Sequence, residues 1–581
     1  MTQARQSPPT PDGGGVPHLP QPGPAAQARP HQPAGTDNLP AHPPQPQAGP
    51  LKVGHVISVS GARISGILHS GGNASYVDVA FAVQLGAMLK MATPKSQVFG
   101  IVCGLRTTDP RPQADASEKK IVDIELLGEA VTVRDDGVKT FFQRGVSVYP
   151  ALGEPIVTIS LNELKHIYAR PTSSNVRIGT LYQDANLPAY LLTDELLGKH
   201  FAVLGTTGTG KSCATTLILR SILTDHPNGH IVLLDPHNEY SQAFGDAAEG
   251  LSPDNLQLPY WLLDFEEMCE VMVDRGRADS ESQIEILSNA IVAAKKKYLG
   301  SGVDNSHITV DTPVPYNLTE LIKIIETGMG QLDKPENSLP YLRLKSRLDV
   351  LRSDRRYGFM FSGLVVKDEM ADIVSRILRI PVAGKPITIL DLSGVPSEIV
   401  DIVVSVMCRL IFDFCLWTQP PQALPVLLVC EEAHRYVPED SQAGFGPTKK
   451  VFSRIAIEGR KYGVSLCLVT QRPSELSTSI LSQCNTLFAL RISNDRDQEF
   501  VRRALPESST GLIASLPSLH TQEAIVVGEG VMVPMRLKFA HLDEEDRPRS
   551  SNASFSTAWQ HDIDPGNAVE QIIQRWRHQL R

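Results

Sequence analysis

The 581-residue sequence lacks four features that would each point to a particular class of protein. It has no uninterrupted apolar run of bilayer-spanning length, and its first residues have no signal-peptide core, so we expect a cytoplasmic protein without membrane insertion. Its eight cysteines form no C-x-x-C pair, so we expect neither disulfides nor structural zinc. Its net charge is −9, so any contact with nucleic acid requires a local basic lining.

The first fifty residues differ in composition from the rest of the chain. They hold 14 of the 43 prolines and few bulky apolar side chains. Such a segment buries too little apolar surface to offset the entropy of ordering, so we predict that residues 1–50 form a disordered tail.

Short β-rich runs punctuated by glycine dominate residues 51–170. Regularly spaced short strands with turn signals between them are typical of a small closed sheet, so we predict an N-terminal β-barrel over this range. The predicted strands are residues 53–59, 63–68, 76–81, 98–102, 121–127, 145–148 and 155–159.

A glycine-rich segment follows a short apolar run at residues 201–204. Residues 205–212 read Gly-Thr-Thr-Gly-Thr-Gly-Lys-Ser and match the phosphate-loop pattern G-x-x-x-x-G-K-S. The backbone N–H groups of such a loop point at phosphate oxygens, the lysine reaches the outer phosphates and the serine ligates Mg²⁺. We therefore predict that ATP and Mg²⁺ bind here, through Gly205, Thr206, Thr207, Gly208, Thr209, Gly210, Lys211, Ser212 and Cys213.

Apolar strands and helical segments alternate around this phosphate loop. Fully apolar runs end at residues 235, 391, 430, 470 and 491, and such runs are typical of parallel strands covered on both faces. We therefore predict an α/β fold with a RecA-like, doubly wound parallel-sheet P-loop ATPase core. The core would comprise residues 171–264 and 381–540, with a helical insertion at residues 265–380.

The last forty residues, 541–581, are predicted to form a flexible strap and an amphipathic helix. The helix would begin after Asn567 and carry its apolar side chains on one face, namely Val569, Ile572, Ile573, Trp576 and Leu580. Either the chain's own domain or a neighbouring subunit could cover this face.

Two adjacent carboxylates follow the strand at residues 425–430. A phosphate-loop enzyme needs an acid beside the metal and a base for the attacking water, so we predict Glu431 as the metal-side acid and Glu432 as the general base. Asp235 and Glu239, at the end of another apolar strand, are rival acids.

A polar turn after residue 470 and a basic helix end before residue 463 add two further candidates. Gln471 would lie beside the γ-phosphate and act as a sensor of hydrolysis. Arg460 is predicted as a finger acting on a neighbouring subunit, because a guanidinium neutralises a phosphoryl group bidentately. Arg454 and Lys461 are possible substitutes.

In combination, these motifs resemble the HerA family of the HerA–FtsK group. The resemblance covers about residues 51–581, with Asn238 and the Glu-Glu pair as mild departures. It implies a homo-hexameric, ATP-driven translocase or helicase for double-stranded DNA, acting with a NurA-type nuclease in DNA end resection and double-strand break repair. The motifs that carry it are residues 54–61, 205–212, 235–240, 431–434, 458–463 and 470–473.

Local clusters of cations are the candidate DNA contacts. Positive side chains that face phosphates would give sequence-independent binding, and we predict Lys449 and Lys450 first, then Lys295 and Lys296. The basic stretch at residues 343–356 is a further candidate. Two other functions stay open, namely a nucleotide-binding scaffold of a nuclease or defence complex and a conjugation-type pump motor.

Overall fold

A computed structural model describes most of the chain after residue 49. The described residues are 50–69, 82–107, 119–133, 139–252, 255–300, 304–330, 338–361, 366–419, 422–440, 442–504, 510–549, 555–560 and 568–578. Three predictions therefore fall wholly or mainly outside them: the disordered tail, the strand at 76–81 and the position of Leu580.

Seven antiparallel strands form the first structural unit of the described chain. Six of them close into a barrel in the order β2-β1-β7-β3-β4-β5, because β2 pairs with both β1 and β5, and β6 is added at the outer edge of β5. The strands are β1 (Lys52–Ser60), β2 (Arg63–Leu68), β3 (Met88–Ala92), β4 (Ser96–Thr107), β5 (Lys120–Val133), β6 (Lys139–Arg144) and β7 (Pro155–Thr158).

The structure confirms the predicted N-terminal β-barrel and corrects the prediction of two strands. Residues 145–148 are not a strand, because β6 ends at Arg144 and Gly145 turns the chain with a φ of +82°. The sequence reading missed β3, whose alternation is weak. Register shifts between Phe99 and Gly100 and between Val102 and Gly104 bend β4, as closure of a small barrel requires.

An eleven-stranded sheet forms the core of the second structural unit. Its order is β12-β13-β11-β14-β15-β10-β16-β17-β18-β8-β9; the strands from β12 to β16 are parallel, and the remaining four pair antiparallel. The strands are β8 (Asn175–Leu181), β9 (Pro188–Leu192), β10 (His200–Leu204), β11 (Ile231–Asp235), β12 (Ala248–Leu251), β13 (Ile387–Asp391), β14 (Val426–Cys430), β15 (Val464–Thr470), β16 (Cys484–Ala489), β17 (Glu523–Gly528) and β18 (Met535–Phe539).

The central strands β10, β11, β14 and β15 are buried along their whole length. Helices cover the sheet, and the predicted doubly wound α/β core is thereby confirmed. The α-helices are Leu161–Ile167, Thr193–Leu197, Lys211–Asp225, Ser241–Phe244, Phe265–Met272, Ser280–Leu299, Leu318–Gly330, Leu339–Ser353, Gly358–Phe361, Met370–Leu378, Ser397–Trp417, Gly446–Tyr462, Thr478–Leu481, Asp495–Ala504, Thr510–Ile513, Phe555–Ala558 and Ala568–His578.

A buried ion pair joins the helix Phe265–Met272 to the helix Ser397–Trp417, which follows β13. Glu267, in the helix Phe265–Met272, accepts hydrogen bonds from Arg409 and from the Ser405 hydroxyl. Glu267 also closes a capping box with Asp264, which fixes the start of its own helix. One carboxylate thus fixes both a helix terminus and a contact between helices.

Direct contacts join the barrel to the sheet. Arg144, at the end of β6, donates hydrogen bonds to the backbone carbonyls of Gly528, Val531 and Met532. In a second contact, Gly511 lies against Cys103 of β4. A Cβ added to Gly511 would come within 1.9 Å of the cysteine Cβ. The contact therefore requires glycine.

The C-terminal helix Ala568–His578 leaves apolar side chains uncovered. Val569, Ile572 and Trp576 are 53%, 58% and 75% exposed. None of the helices that the structure describes has both the length and the apolar composition that a bilayer crossing needs.

Candidate functional site

Four adjacent strands of the sheet end at the same edge. In sheet order they are β11, β14, β15 and β10, and their carboxyl ends carry the turn at residues 235–240, the Glu431–Glu432 pair, Gln471 and the phosphate loop. Because parallel strands present their carboxyl ends together, residues more than two hundred positions apart meet there.

The phosphate loop connects β10 to the helix Lys211–Asp225. Gly208 and Gly210 have φ values of +76° and +96°, a region that side chains rarely adopt, so the loop's path depends on glycine. Lys211 is buried, and its ammonium donates to the carbonyl of Thr206 over 3.2 Å. Burial lowers the pKa of Lys211, while the nearby carboxylates of Glu431 and Glu432 oppose that shift.

A chain of hydrogen bonds runs from the phosphate loop to the predicted base. The Thr207 hydroxyl donates to the side-chain oxygen of Gln471, and the Gln471 amide donates to Glu432 Oε1 over 2.7 Å. The predicted sensor and the predicted base therefore lie in direct contact, and the sensor also contacts the loop.

The Glu432 carboxylate is held in an uncommon backbone conformation. Its φ of +51° lies in the left-handed region, which a non-glycine residue adopts at a cost of about 1 kcal/mol. Its Oε2 is buried and has no hydrogen-bond partner among the described residues. Burial raises the pKa of Glu432, and Lys211 partly offsets the rise, so the carboxylate is a stronger base than an exposed one.

His434 lies beside this carboxylate. Its Nδ1 is 2.9 Å from the Thr470 hydroxyl and 3.3 Å from Glu432 Oε2, so the imidazole stands between the ends of β14 and β15. Burial lowers the pKa of His434, which favours the neutral ring.

The rival acids after β11 have two separate roles in the structure. Asp235 is fully buried and accepts the backbone N–H groups of His237 and Tyr240, so it holds the turn. Glu239, at the tip of that turn, accepts a 2.6 Å hydrogen bond from the Ser212 hydroxyl.

Glu431 faces the interior rather than Ser212. Its Oε2 accepts a 2.8 Å hydrogen bond from the hydroxyl of Tyr240, and both side chains are buried. Burial raises the pKa of Glu431, which favours its protonated form. Ser212 is therefore hydrogen-bonded to Glu239, whereas Glu431, the predicted metal-side acid, is hydrogen-bonded to Tyr240.

Arg460 lies at the opposite edge of the sheet from its own phosphate loop. It occupies the last, exposed turn of the helix Gly446–Tyr462, just before β15 begins, whereas Gln471 follows the end of β15. The seven residues of β15 at about 3.3 Å each put roughly 20 Å between the two ends. Arg454, the possible substitute, stacks on Phe412 of its own chain with 4.5 Å between guanidinium carbon and ring centroid.

The predicted DNA contacts differ in accessibility. The structure contradicts the prediction for Lys295, because its ammonium is buried and donates to the carbonyls of Val310 and Thr312. Burial lowers the pKa of Lys295 to about 8. Lys296 is exposed on the same helix, and Lys450 is 71% exposed beside Glu266.

Lys449 and the stretch at residues 343–356 make contacts within the chain. Lys449 donates to the carbonyl of Ala443. Arg343 pairs with Asp279, and Arg356 pairs with Asp354. These side chains would have to exchange partners to meet phosphates.

A phosphate loop on a doubly wound sheet, with a carboxylate and an amide on the adjacent strand ends, defines the chain as a P-loop ATPase, an ATP-hydrolysing enzyme. Its sequence is similar to "Helicase HerA, central domain" over residues 176–411. The resemblance to the HerA family is thereby confirmed.

Two archaeal relatives extend the match. "DNA double-strand break repair helicase HerA" of Pyrococcus furiosus is 27% identical over 466 residues, which cover 73% of this chain and 81% of that protein. "Probable DNA double-strand break repair helicase HerA" of Methanocaldococcus jannaschii is 27% identical over 483 residues, covering 77% and 91%. Among solved structures, VirB4 of Thermoanaerobacter pseudethanolicus is 15% identical with a TM-score of 0.46, covering 65% of this chain and 98% of that one.

Three neighbours of the site were missed from the sequence. They are Tyr240, His434 and the segment at residues 541–549, which returns to the phosphate-loop helix. His434 could have been found from the sequence, because it follows the predicted base by two residues. The segment at residues 541–549 contains both acidic and basic side chains but no recognisable motif.

Proposed function

We propose that this ATPase is a translocase or helicase for double-stranded DNA that works as a homo-hexamer with a NurA-type nuclease in DNA end resection and double-strand break repair. The observation that carries the proposal is the hydrogen-bond chain Thr207–Gln471–Glu432 in a protein whose sequence resembles the HerA family. Such a chain couples occupancy of the phosphate site to the base, as a motor requires. The names of the two archaeal relatives support the repair role.

ATP is the proposed nucleotide, and Mg²⁺ is the proposed metal. A hydroxyl and a carboxylate are hard oxygen donors of the kind that Mg²⁺ prefers, and Ser212 and Glu239 supply them 2.6 Å apart. These two residues therefore fit the ion. Glu431 is hydrogen-bonded to Tyr240, the residue that follows Glu239. When bound, Mg²⁺ would neutralise charge on the phosphates.

Glu432 is the proposed general base. Its buried Oε2 is available to take a proton from a water molecule attacking the γ-phosphate. Gln471 fixes the other carboxylate oxygen and would lose or shift its contact with Thr207 when the terminal phosphate leaves. Lys211 would hold the outer phosphates.

A second subunit completes the proposed site. Arg460 cannot reach the phosphates of its own chain across the length of β15, yet it is exposed at the surface. We therefore propose that it neutralises transition-state charge in a neighbouring protomer of the ring. Lys296, Lys449 and Lys450 remain the proposed contacts to the DNA backbone. The N-terminal barrel is the proposed docking face for the nuclease.

The decisive experiment compares ATP hydrolysis with and without linear duplex DNA, together with the solution mass. If the protein is a motor, we expect DNA to stimulate ATP hydrolysis strongly and the solution mass to be that of a hexamer. Glu432→Gln should abolish the stimulated rate, whereas Glu499→Gln, an exposed carboxylate paired with Arg502, should not change it. A slow enzyme that is indifferent to DNA would favour the scaffold function.

A further inference from the structure

The chain returns to the phosphate-loop helix after its last core strand. We call residues 541–549 the return segment. Asp546 forms a 2.8 Å ion pair with Arg220 of the helix Lys211–Asp225, and the backbone N–H of Arg549 donates to the carbonyl of Glu239 over 2.7 Å. The segment is therefore fixed at two points, one on the helix and one on the turn that contacts Ser212.

Helix geometry places the return segment along one defined face. Arg220 lies seven residues after Cys213, which is close to two full turns, so both side chains project from the same side of the helix. Cys213 directly follows Ser212 at the end of the phosphate loop. A segment that contacts Arg220 thus runs along the face that begins at the phosphates.

Arg547 lies in the return segment between Asp546 and Arg549, the two residues that fix the segment. It is half-buried, and it donates from Nε to the carbonyl of Leu542 and from Nη2 to Nε2 of His541. A guanidinium has five N–H donors, so these two bonds orient it and leave further donors for a ligand.

We propose that Arg547 binds the α-phosphate and sugar end of the nucleoside triphosphate held by the phosphate loop of its own chain. A phosphate loop cradles the α- and β-phosphates with its backbone, and a planar guanidinium matches two phosphate oxygens at once. The return segment is then a wall of the nucleotide site. This inference rests on the ATPase assignment and requires neither DNA nor a nuclease.

The return segment also contacts the metal side of the site. Arg549 fixes the backbone of Glu239, and the side chain of Glu239 fixes Ser212. Binding of the nucleotide by Arg547 therefore orders the residues on both sides of the phosphates.

The test measures ATP and ADP affinities by isothermal titration calorimetry in the Glu432→Gln background, without DNA. Arg547→Gln should weaken both affinities by about tenfold and by the same factor, because ATP and ADP share the α-phosphate. Arg503→Gln, a control at a 76% exposed arginine paired with Glu499, should change neither. Arg547→Lys keeps the charge but loses the planar fork, so it should lie between wild type and Arg547→Gln.

Unchanged affinities in Arg547→Gln would overturn the proposal, and so would a loss confined to ATP, which would place the contact at the γ-phosphate. If Arg547→Gln does not fold, as judged by its thermal unfolding without nucleotide, Arg547→Lys decides by the same comparison. These measurements omit DNA, so their failure is distinct from a failure of DNA stimulation.

Discussion

Gln471 donates a 2.7 Å hydrogen bond to Glu432, and through it the end of β15 holds the carboxylate at the end of β14. The same amide accepts the hydroxyl of Thr207. Three strand ends that are remote in sequence therefore share one hydrogen-bond chain, and its two outer members would face the terminal phosphate.

Replacing Gln471 by Ala removes the link between loop and base. We expect kcat to fall by about 10² while ATP affinity stays near the wild-type value, because Lys211 and the loop backbone still hold the phosphates. Steady-state hydrolysis and calorimetric binding measure the two effects separately. A normal kcat would mean that the amide has no part in turnover.

Lys211→Ala and Glu432→Gln should separate binding from hydrolysis. The lysine variant loses a phosphate contact and should weaken both nucleotide affinity and turnover, whereas the glutamine variant keeps its shape and should lose mainly turnover. Glu239→Gln provides the comparison. If Glu432→Gln stays active while Glu239→Gln is inactive, Glu432 is not the base.

Arg460→Ala should bind ATP and lose hydrolysis, since the arginine would serve a neighbouring subunit. Mixing it with Lys211→Ala subunits should restore part of the activity, because some interfaces then combine an intact loop with an intact arginine. Activity is measured after subunit exchange. Mixtures that never recover, or an Arg460→Ala enzyme with normal turnover, count against the role in trans.

Arg409→Met should destabilise the fold strongly. It leaves the buried carboxylate of Glu267 without its ion-pair partner, a loss that typically costs about 3–5 kcal/mol. The midpoint of thermal unfolding should fall clearly. The double variant with Glu267→Met removes both charges and should recover part of the loss; no recovery would mean that the ion pair is not the cause.

Stability should depend on pH through Glu125, a fully buried carboxyl on β5. Burial raises the pKa of Glu125 from 4.5 to about 7, against smaller opposing effects of Gly511 and Arg63. The folded state then binds more protons than the unfolded state between these values, so stability should decrease as the pH rises from about 4.5 to 7.

Glu125→Gln should remove this dependence. The variant keeps the shape of the side chain without its ionisation, so its unfolding temperature should fall less than that of the wild type between pH 5 and pH 8. Thermal unfolding across that range measures the difference. Parallel curves for the two proteins would show that Glu125 ionises normally in the folded state.

Much of the fold could be predicted because its signals are local. The apolar run at β14 and the glycines of the phosphate loop each specify their own backbone, whatever surrounds them. The proximity of Glu432 and Gln471 could also be predicted from the sequence, because the carboxyl ends of parallel strands lie at the same edge of a sheet. Their catalytic roles stay predictions, and so does the role of Arg460.

Burial and partner choice depended on the tertiary structure. Lys295 and Lys296 are neighbours in sequence with the same chemistry, yet the packing of the insertion buries the first beneath Val310 and Thr312 and leaves the second exposed. The sequence by itself determined the phosphate loop and the strands that carry it, because those depend on local backbone geometry and apolar pattern. Only the tertiary structure decided that Glu239 contacts Ser212 and that Asp546 contacts Arg220 of the phosphate-loop helix, because such contacts depend on how distant segments pack.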